Sequence, residues 1–120
     1  MPRYADGFLL AVPRRKLDTY RKISQKAGKI WKEHGALEYI ECAGDDLKVK
    51  MGVPFTKAAK TKSGEAVIFS WIVYKSRADR DRVNRKVMKD PRLASMMDPK
   101  SMPFDMKRMA YGGFRVIVDL

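Results

Sequence analysis

A single cysteine, Cys42, and a single histidine, His34, stand in this sequence of 120 residues. One thiol cannot close an internal disulfide, so the chain is not a disulfide-built secreted scaffold and fits a reducing cytoplasm. The pair His34 and Cys42 lacks the spacing of a transition-metal site and the surrounding motif of an activated nucleophile. No metal and no cofactor is expected. There is no apolar run of about 18 residues, hence no expected membrane span. The opening MPRYADGF lacks the apolar core of a signal peptide. Acid is also scarce: 14 Asp and Glu face 26 Lys and Arg, for a net charge of +12. Such an excess attracts polyanions or simply forms a solvated basic surface. No helix-turn-helix, zinc module or RNP-like aromatic motif accompanies it.

What is present reads as one globular domain over 1–120, with 45% hydrophobic and 33% charged residues. Val67 to Tyr74 organises it. Val67, Phe69, Trp71 and Val73 share one face of a strand, and Ile68, Ser70, Ile72 and Tyr74 share the other. A strand with one wet face alternates apolar with polar residues, and this one does not. Both faces are expected to be covered, one by helices and the other by a second copy of the sheet. Ser76 and Asp79 then carry the spacing of a helix start, and the helix runs to about Met88 with Val83, Val87 and Met88 inward.

Tyr4 to Val12 is the first strand, with Gly7 marking a bulge or a close approach and Pro13 ending it. From about Lys16 to His34 the period becomes helical: Leu17, Tyr20, Ile23, Ala27, Ile30 and Trp31 form a stripe. Gly28 weakens this helix by about 1 kcal/mol relative to Ala, and Gly35 terminates it. Ala36 to Ala43 is a second strand of open register, closed by the turn Gly44-Asp45-Asp46. A basic excursion at about 48–64 follows, with one helical turn near 57–60. Later, Asp90-Pro91 starts a short helix carrying Leu93, Met96 and Met97, which Asp98-Pro99 ends. Residues 103–108 are a loop. Met109 to Leu120 is the last strand, with a bulge at Gly112-Gly113. The order is that of an α+β, ferredoxin-like β-α-β-β-α-β fold with a four-stranded antiparallel sheet. Its bare face pairs in a homodimer, as a dimeric α/β barrel.

Four blocks, YADGF, GALEYIECAGDD, FSWIVYKSRADRDRVNRKVMKDPR and PFDMKRMAYGGFRVIVD, together resemble the bacterial YbaA family of uncharacterised proteins. The lysine-rich stretch 48–62 is where the chain departs from that resemblance. It implies the dimeric α/β-barrel superfamily, which also holds cofactor-free monooxygenases, muconolactone isomerase-like enzymes and haem-active proteins. It implies no particular reaction, because fold alone does not give function.

Candidate site residues follow from chemistry. Glu38 and Glu41 are acids within a strand and lie on opposite faces; whichever faces a closed interior has its pKa raised by burial and suits proton transfer. His34, at a helix C-terminus, is placed first as a cation on the dipole and only weakly as a catalytic group. Trp71, Tyr74 and Tyr111 are core aromatics that would also wall a pocket for a planar ligand. Arg115 would bind a carboxylate or pair with an acid. Asp105 and Arg108 suggest a structural ion pair, with a pocket role as the alternative. On the helices, Arg21, Lys22, Lys26, Lys29, Arg82, Arg85, Lys86 and Lys89 would make non-specific, salt-sensitive contacts to nucleic acid. Three functions stay open: a small-molecule binder or cofactor-independent enzyme, an RNA or polyanion binder, and a dimeric scaffold filled by its own Phe and Met side chains.

Overall fold

Apolar strand faces need a cover, and the order of elements supplies one. A computed structural model describes residues 2–98 and 100–120. β1 (Tyr4–Pro13) leads through a short 3-10 turn into α1 (Leu17–Glu33), then β2 (Glu38–Ala43), α2 (Phe55–Ala58), β3 (Glu65–Tyr74), α3 (Arg77–Met88), α4 (Pro91–Ala94) and β4 (Ala110–Arg115). The strands form one sheet in the order β2-β3-β1-β4, and every pairing is antiparallel. This is the ferredoxin-like plan. Pro99, expected to end α4, lies outside the described residues.

The local signals work as their chemistry requires. Ser76 caps α3 by accepting from the Asp79 N–H, and Asp90 caps α4 by accepting from the Arg92 N–H. Gly35 takes φ of 122°, a value that glycine adopts freely, just past the end of α1. One face of the sheet carries Leu10, Val12, Ile68, Ile72 and Tyr74, all buried. There they meet Tyr20 and Ile30 from α1, Val83 and Val87 from α3, and Leu93 from α4.

Several sequence expectations are corrected. Met88 is 59% exposed and is not part of the buried core. The helical turn in the excursion is Phe55–Ala58, earlier than 57–60. β4 ends at Arg115, and Ile117, Val118 and Leu120 after it are exposed. Gly112 and Gly113 form no bulge: they pair in unbroken register with Gly7 and Asp6. Gly7 likewise makes a close approach without a bulge, since a Cβ there would sit 3.3 Å from the Phe114 ring.

The second sheet face is partly open in the single chain: Phe69 is 45% and Phe114 63% exposed, whereas Ala11 and Val67 are buried. It carries Ala5, Gly7, Leu9 and Ala11 of β1, Val67, Phe69, Trp71 and Val73 of β3, Ile40 and Cys42 of β2, and Phe114 of β4. Glu38 of β2 adds a charge at the margin of this face. Phe55 from α2 reaches over its edge, 5.8 Å from the Phe69 ring, and Phe69 lies 5.7 Å from Trp71.

Candidate functional site

The polar residues of interest sit where α1 and α3 cover the sheet. The register gives Tyr39↔Ile72 and Glu41↔Ser70, so Tyr39 and Glu41 share the helix side while Glu38 lies on the open side, exposed. The Tyr20 hydroxyl, from α1, donates to Glu41 Oε1 at 2.7 Å, and the Tyr39 hydroxyl donates to Oε2 at 3.0 Å. Each carboxylate oxygen thus holds one phenol. Burial pushes both phenols far above the usual tyrosine range, and the Glu41 charge adds to it. Both remain protonated donors at any working pH.

Gly28 explains how α1 comes so near. A Cβ there would lie 2.6 Å from Tyr39 Cδ1. The residue that weakens the helix is the residue that lets Tyr39 pass beneath it.

A second cluster faces the first across β3. Arg80 Nε stands 3.3 Å from Asp6 Oδ1, its Nη1 donates to Asp81 at 2.9 Å, and its Nη2 donates to the Tyr4 hydroxyl at 3.2 Å. The guanidinium lies 4.8 Å from the centre of the Tyr4 ring. Burial works against the Arg80 charge, but the Asp6 charge and the Tyr4 bond outweigh it and hold its pKa up. Arg80 Nε is buried and finds no acceptor in hydrogen-bonding geometry. Nearby, Trp31 Nε1 and the Tyr74 hydroxyl both donate to Asn84 Oδ1, each at 3.2 Å. An indole N–H can only donate, so it fixes the orientation of the Asn84 amide. Gly113 is required here, because a Cβ would collide with the Tyr4 hydroxyl and the Arg80 guanidinium.

Between the clusters lies a cavity of about 480 Å³. Its apolar wall includes Phe8, Trp31 and Phe104, and five of the chain's eight methionines, Met88, Met97, Met102, Met106 and Met109. A groove of about 910 Å³ runs outside it between α1 and the free edge of β2. Tyr20, Tyr39 and Glu41 border both.

One feature sets Glu41 apart. Asp6, Asp18, Glu33, Glu65, Asp79, Asp81, Asp90 and Asp119 each pair with an arginine, lysine or histidine. Glu41 forms no ion pair among the described residues, and its partners are two neutral phenols. The other carboxylates without a cation, Glu38, Asp45, Asp46, Asp98 and Asp105, are exposed.

The remaining candidates lie as follows. Tyr74 is fully buried beside the cavity, its phenol held up in pKa by burial first and by Asp6 second. Tyr111 stacks on Phe8 at 6.1 Å but is 73% exposed, at the cavity rim. The Trp71 side chain is on the opposite sheet face, against Phe69. Arg115 is exposed at the end of β4, opposite Tyr4. Asp105 caps a 3-10 turn, and Arg108 forks onto Glu65 at 2.7 and 2.9 Å rather than onto Asp105. His34 Nε2 lies 2.8 Å from Asp90 Oδ2, far along α1 from Tyr20. Arg21 and Lys22 both pair with Asp18, and Arg82 pairs with Asp79. Lys26, Lys29, Arg85, Lys86 and Lys89 are exposed. Among the described residues no cluster of His, Cys, Asp and Glu fits a metal ion, and no helix is long and apolar enough to cross a membrane.

Tyr20, Tyr39, Asp6, Arg80 and Asn84 are site residues that the sequence pattern does not single out. Tyr20 reads only as a member of the apolar stripe of α1, and two of the others carry a signal. Asp6 is a charge on a strand face otherwise made of Tyr4, Phe8, Leu10 and Val12, and Tyr39 shares the parity of Glu41. Asn84 and Arg80 carry none, because a polar helix residue is ordinarily solvated.

Residues 3–106 match the family described as "Protein of unknown function (DUF1428)". The chain belongs to the DUF1428 family. This family member is 46% identical over 117 residues to "Uncharacterized protein YbaA" of Escherichia coli K12, covering 98% of each chain, and equally so to the protein of that name in Shigella flexneri. Among solved structures, a nipsnap family protein of unknown function from Agrobacterium tumefaciens superposes with a TM-score of 0.58 at 14% identity, over 96% of this DUF1428 chain and 88% of that one. A dimeric ferredoxin-like protein from an uncultured marine organism gives 0.53 at 12% identity, over the full length of both. These likenesses bear on the fold: this DUF1428 protein is ferredoxin-like.

Proposed function

We propose that the protein is a small-molecule binder of enzyme-like design, acting through the cavity between helices and sheet, with Glu41 as its proton acceptor. The observation that carries this reading is the isolation of Glu41. In a chain of net charge +12, one carboxylate bordering a cavity forms no ion pair among the described residues and is gripped by two phenols. That arrangement fixes both oxygens in place and leaves their remaining lone pairs for a ligand hydrogen. The methionine and aromatic walls suit an apolar body of varied shape.

The second copy belongs to the same reading. The open sheet face, aromatic and nearly free of charge, is the surface two copies would share. The marine ferredoxin-like protein is itself dimeric, which supports this choice of partner. The exposed lone Cys42 suits the reducing cytoplasm as the place of work.

The two tryptophans provide the test, because they stand on opposite faces of the sheet. Both residues border the cavity, but the Trp71 ring packs beside Phe69 on the opposite sheet face, whereas Trp31 stands on the helix side. In a fragment screen by nitrogen-15 NMR, ligands of the cavity move the Trp31 indole resonance and lose affinity in Glu41→Gln. A screen in which fragments move only the Trp71 indole, or bind Glu41→Gln equally well, would remove the cavity as the site.

A further inference from the structure

We infer that the cavity selects neutral molecules presenting an O–H or N–H donor at one end of an apolar body, and rejects carboxylates, although the protein as a whole is strongly basic. This rests on the cavity being the ligand site, as proposed above. The outer surface and the interior differ in sign. Outside, Lys26, Lys29, Arg85, Lys86 and Lys89 are exposed on the helices, and the sum of charge favours the approach of anions. Inside, the charged groups bordering the cavity are Asp6, Glu41 and Arg80. Arg80 is already shared between Asp6 and Asp81. Its Nε is buried against Asp6, 3.3 Å from Oδ1, and is not open to a ligand. Arg80 has no spare charge to balance a ligand carboxylate beside Glu41.

Two like charges at contact distance in a partly dehydrated space repel strongly, while a neutral donor gains a charge-assisted hydrogen bond from the same carboxylate. The polar groups also leave few alternatives. The Tyr20, Tyr39, Tyr74 and Trp31 donors are spent within the protein. What remains for a ligand is the Glu41 acceptor, the Asn84 amide nitrogen and the hydroxyls of Ser24, Ser70 and Tyr111. An acceptor opposite donors calls for a ligand with a donor and a carbonyl-type oxygen, both uncharged.

Two probes of equal ring size separate the possibilities by calorimetric titration at pH 7. There 2-naphthol is neutral, as phenols with pKa about 10 are, and 2-naphthoate is ionised. The expected result is 2-naphthol binding at least tenfold tighter. The gap should close in Glu41→Gln and persist in Tyr39→Phe, which keeps the carboxylate and removes one of its phenols. Equal or tighter binding of 2-naphthoate overturns the inference and would make the outer charge decisive. A gap unchanged in Glu41→Gln overturns the assignment to Glu41. Binding of neither probe removes the cavity reading itself, and the selectivity with it. The wild-type comparison decides the sign of the preference without either variant.

Discussion

Gly28→Ala is the perturbation in which helix propensity and the packed site disagree in sign. Residue 28 is in the middle of α1, where replacing Gly by Ala gains about 1 kcal/mol in an unencumbered helix. In this fold the new methyl would meet Tyr39 at 2.6 Å from Cδ1, 2.8 Å from Cε1 and 3.1 Å from Cγ. Those atoms lie at the root of the ring as well as its side, and Trp31 stands 6.1 Å away on the same side of the sheet. The ring cannot yield without moving its stem. Overpacking of this kind costs about 1–3 kcal/mol. Moving the ring also weakens the bond from the Tyr39 hydroxyl to Glu41, and hydrogen bonds to charged groups contribute about 1.5–3 kcal/mol. The costs exceed the gain, so Gly28→Ala destabilises by about 1–3 kcal/mol net of propensity. Urea unfolding measures it. A cycle with Tyr39→Ala isolates the cause: without the ring, Gly28→Ala becomes stabilising by about 1 kcal/mol. Stabilisation in the wild-type background would refute the close passage of Tyr39 under α1, and with it the geometry around Glu41.

Three further outcomes follow from the structure. Phe69→Glu puts a carboxylate on the open face, where Phe69 is still 45% exposed; burying it twice in a symmetric pair costs several kcal/mol. Light scattering then gives the mass of two chains for the wild type and one for the variant, and a two-chain mass for both would move the interface elsewhere. Arg108 holds the Glu65 carboxyl down from 4.5 to about 2. A depressed folded-state value gives stability that is fully present above 4.5 and lost as pH falls through about 2. Arg108→Gln therefore flattens the fall in stability across that window in pH-dependent urea melts, and an unchanged slope would deny the pair its role. Mixed-sequence RNA, titrated at about 50 and 200 mM salt, should lose nearly all binding at the higher salt, as solvated lysines do; submicromolar binding that survives would restore the polyanion reading.

How much is legible in the sequence depends on whether a residue's role is local. The helix caps at Ser76 and Asp90 and the stop at Gly35 act within one turn of chain, and their residue types announce them. The opposite faces of Glu38 and Glu41 follow from the strand period alone. The glycines are harder, because the spacing signal is real but its cause lies elsewhere. Gly112-Gly113 reads as a bulge, whereas Gly113 is small to make room for Tyr4 and Arg80 from distant parts of the chain. Gly28 reads as a weakness, whereas it is the gap through which Tyr39 reaches Glu41. Arg108 invites pairing with its neighbour Asp105, and its partner comes instead from β3. The site itself joins Tyr20 of α1 to Glu41 of β2, and no period within either element connects them. Only the register of β2 on β3 and the crossing of α1 bring the phenol to the acid.

The most direct measurement is a crystal structure of the protein soaked with 2-naphthol. The account predicts the ring in the cavity among the methionines, with its hydroxyl within hydrogen-bond reach of Glu41, about 2.6–3.2 Å. Density for the probe on the sheet face beside Phe69, with the cavity empty, would contradict it.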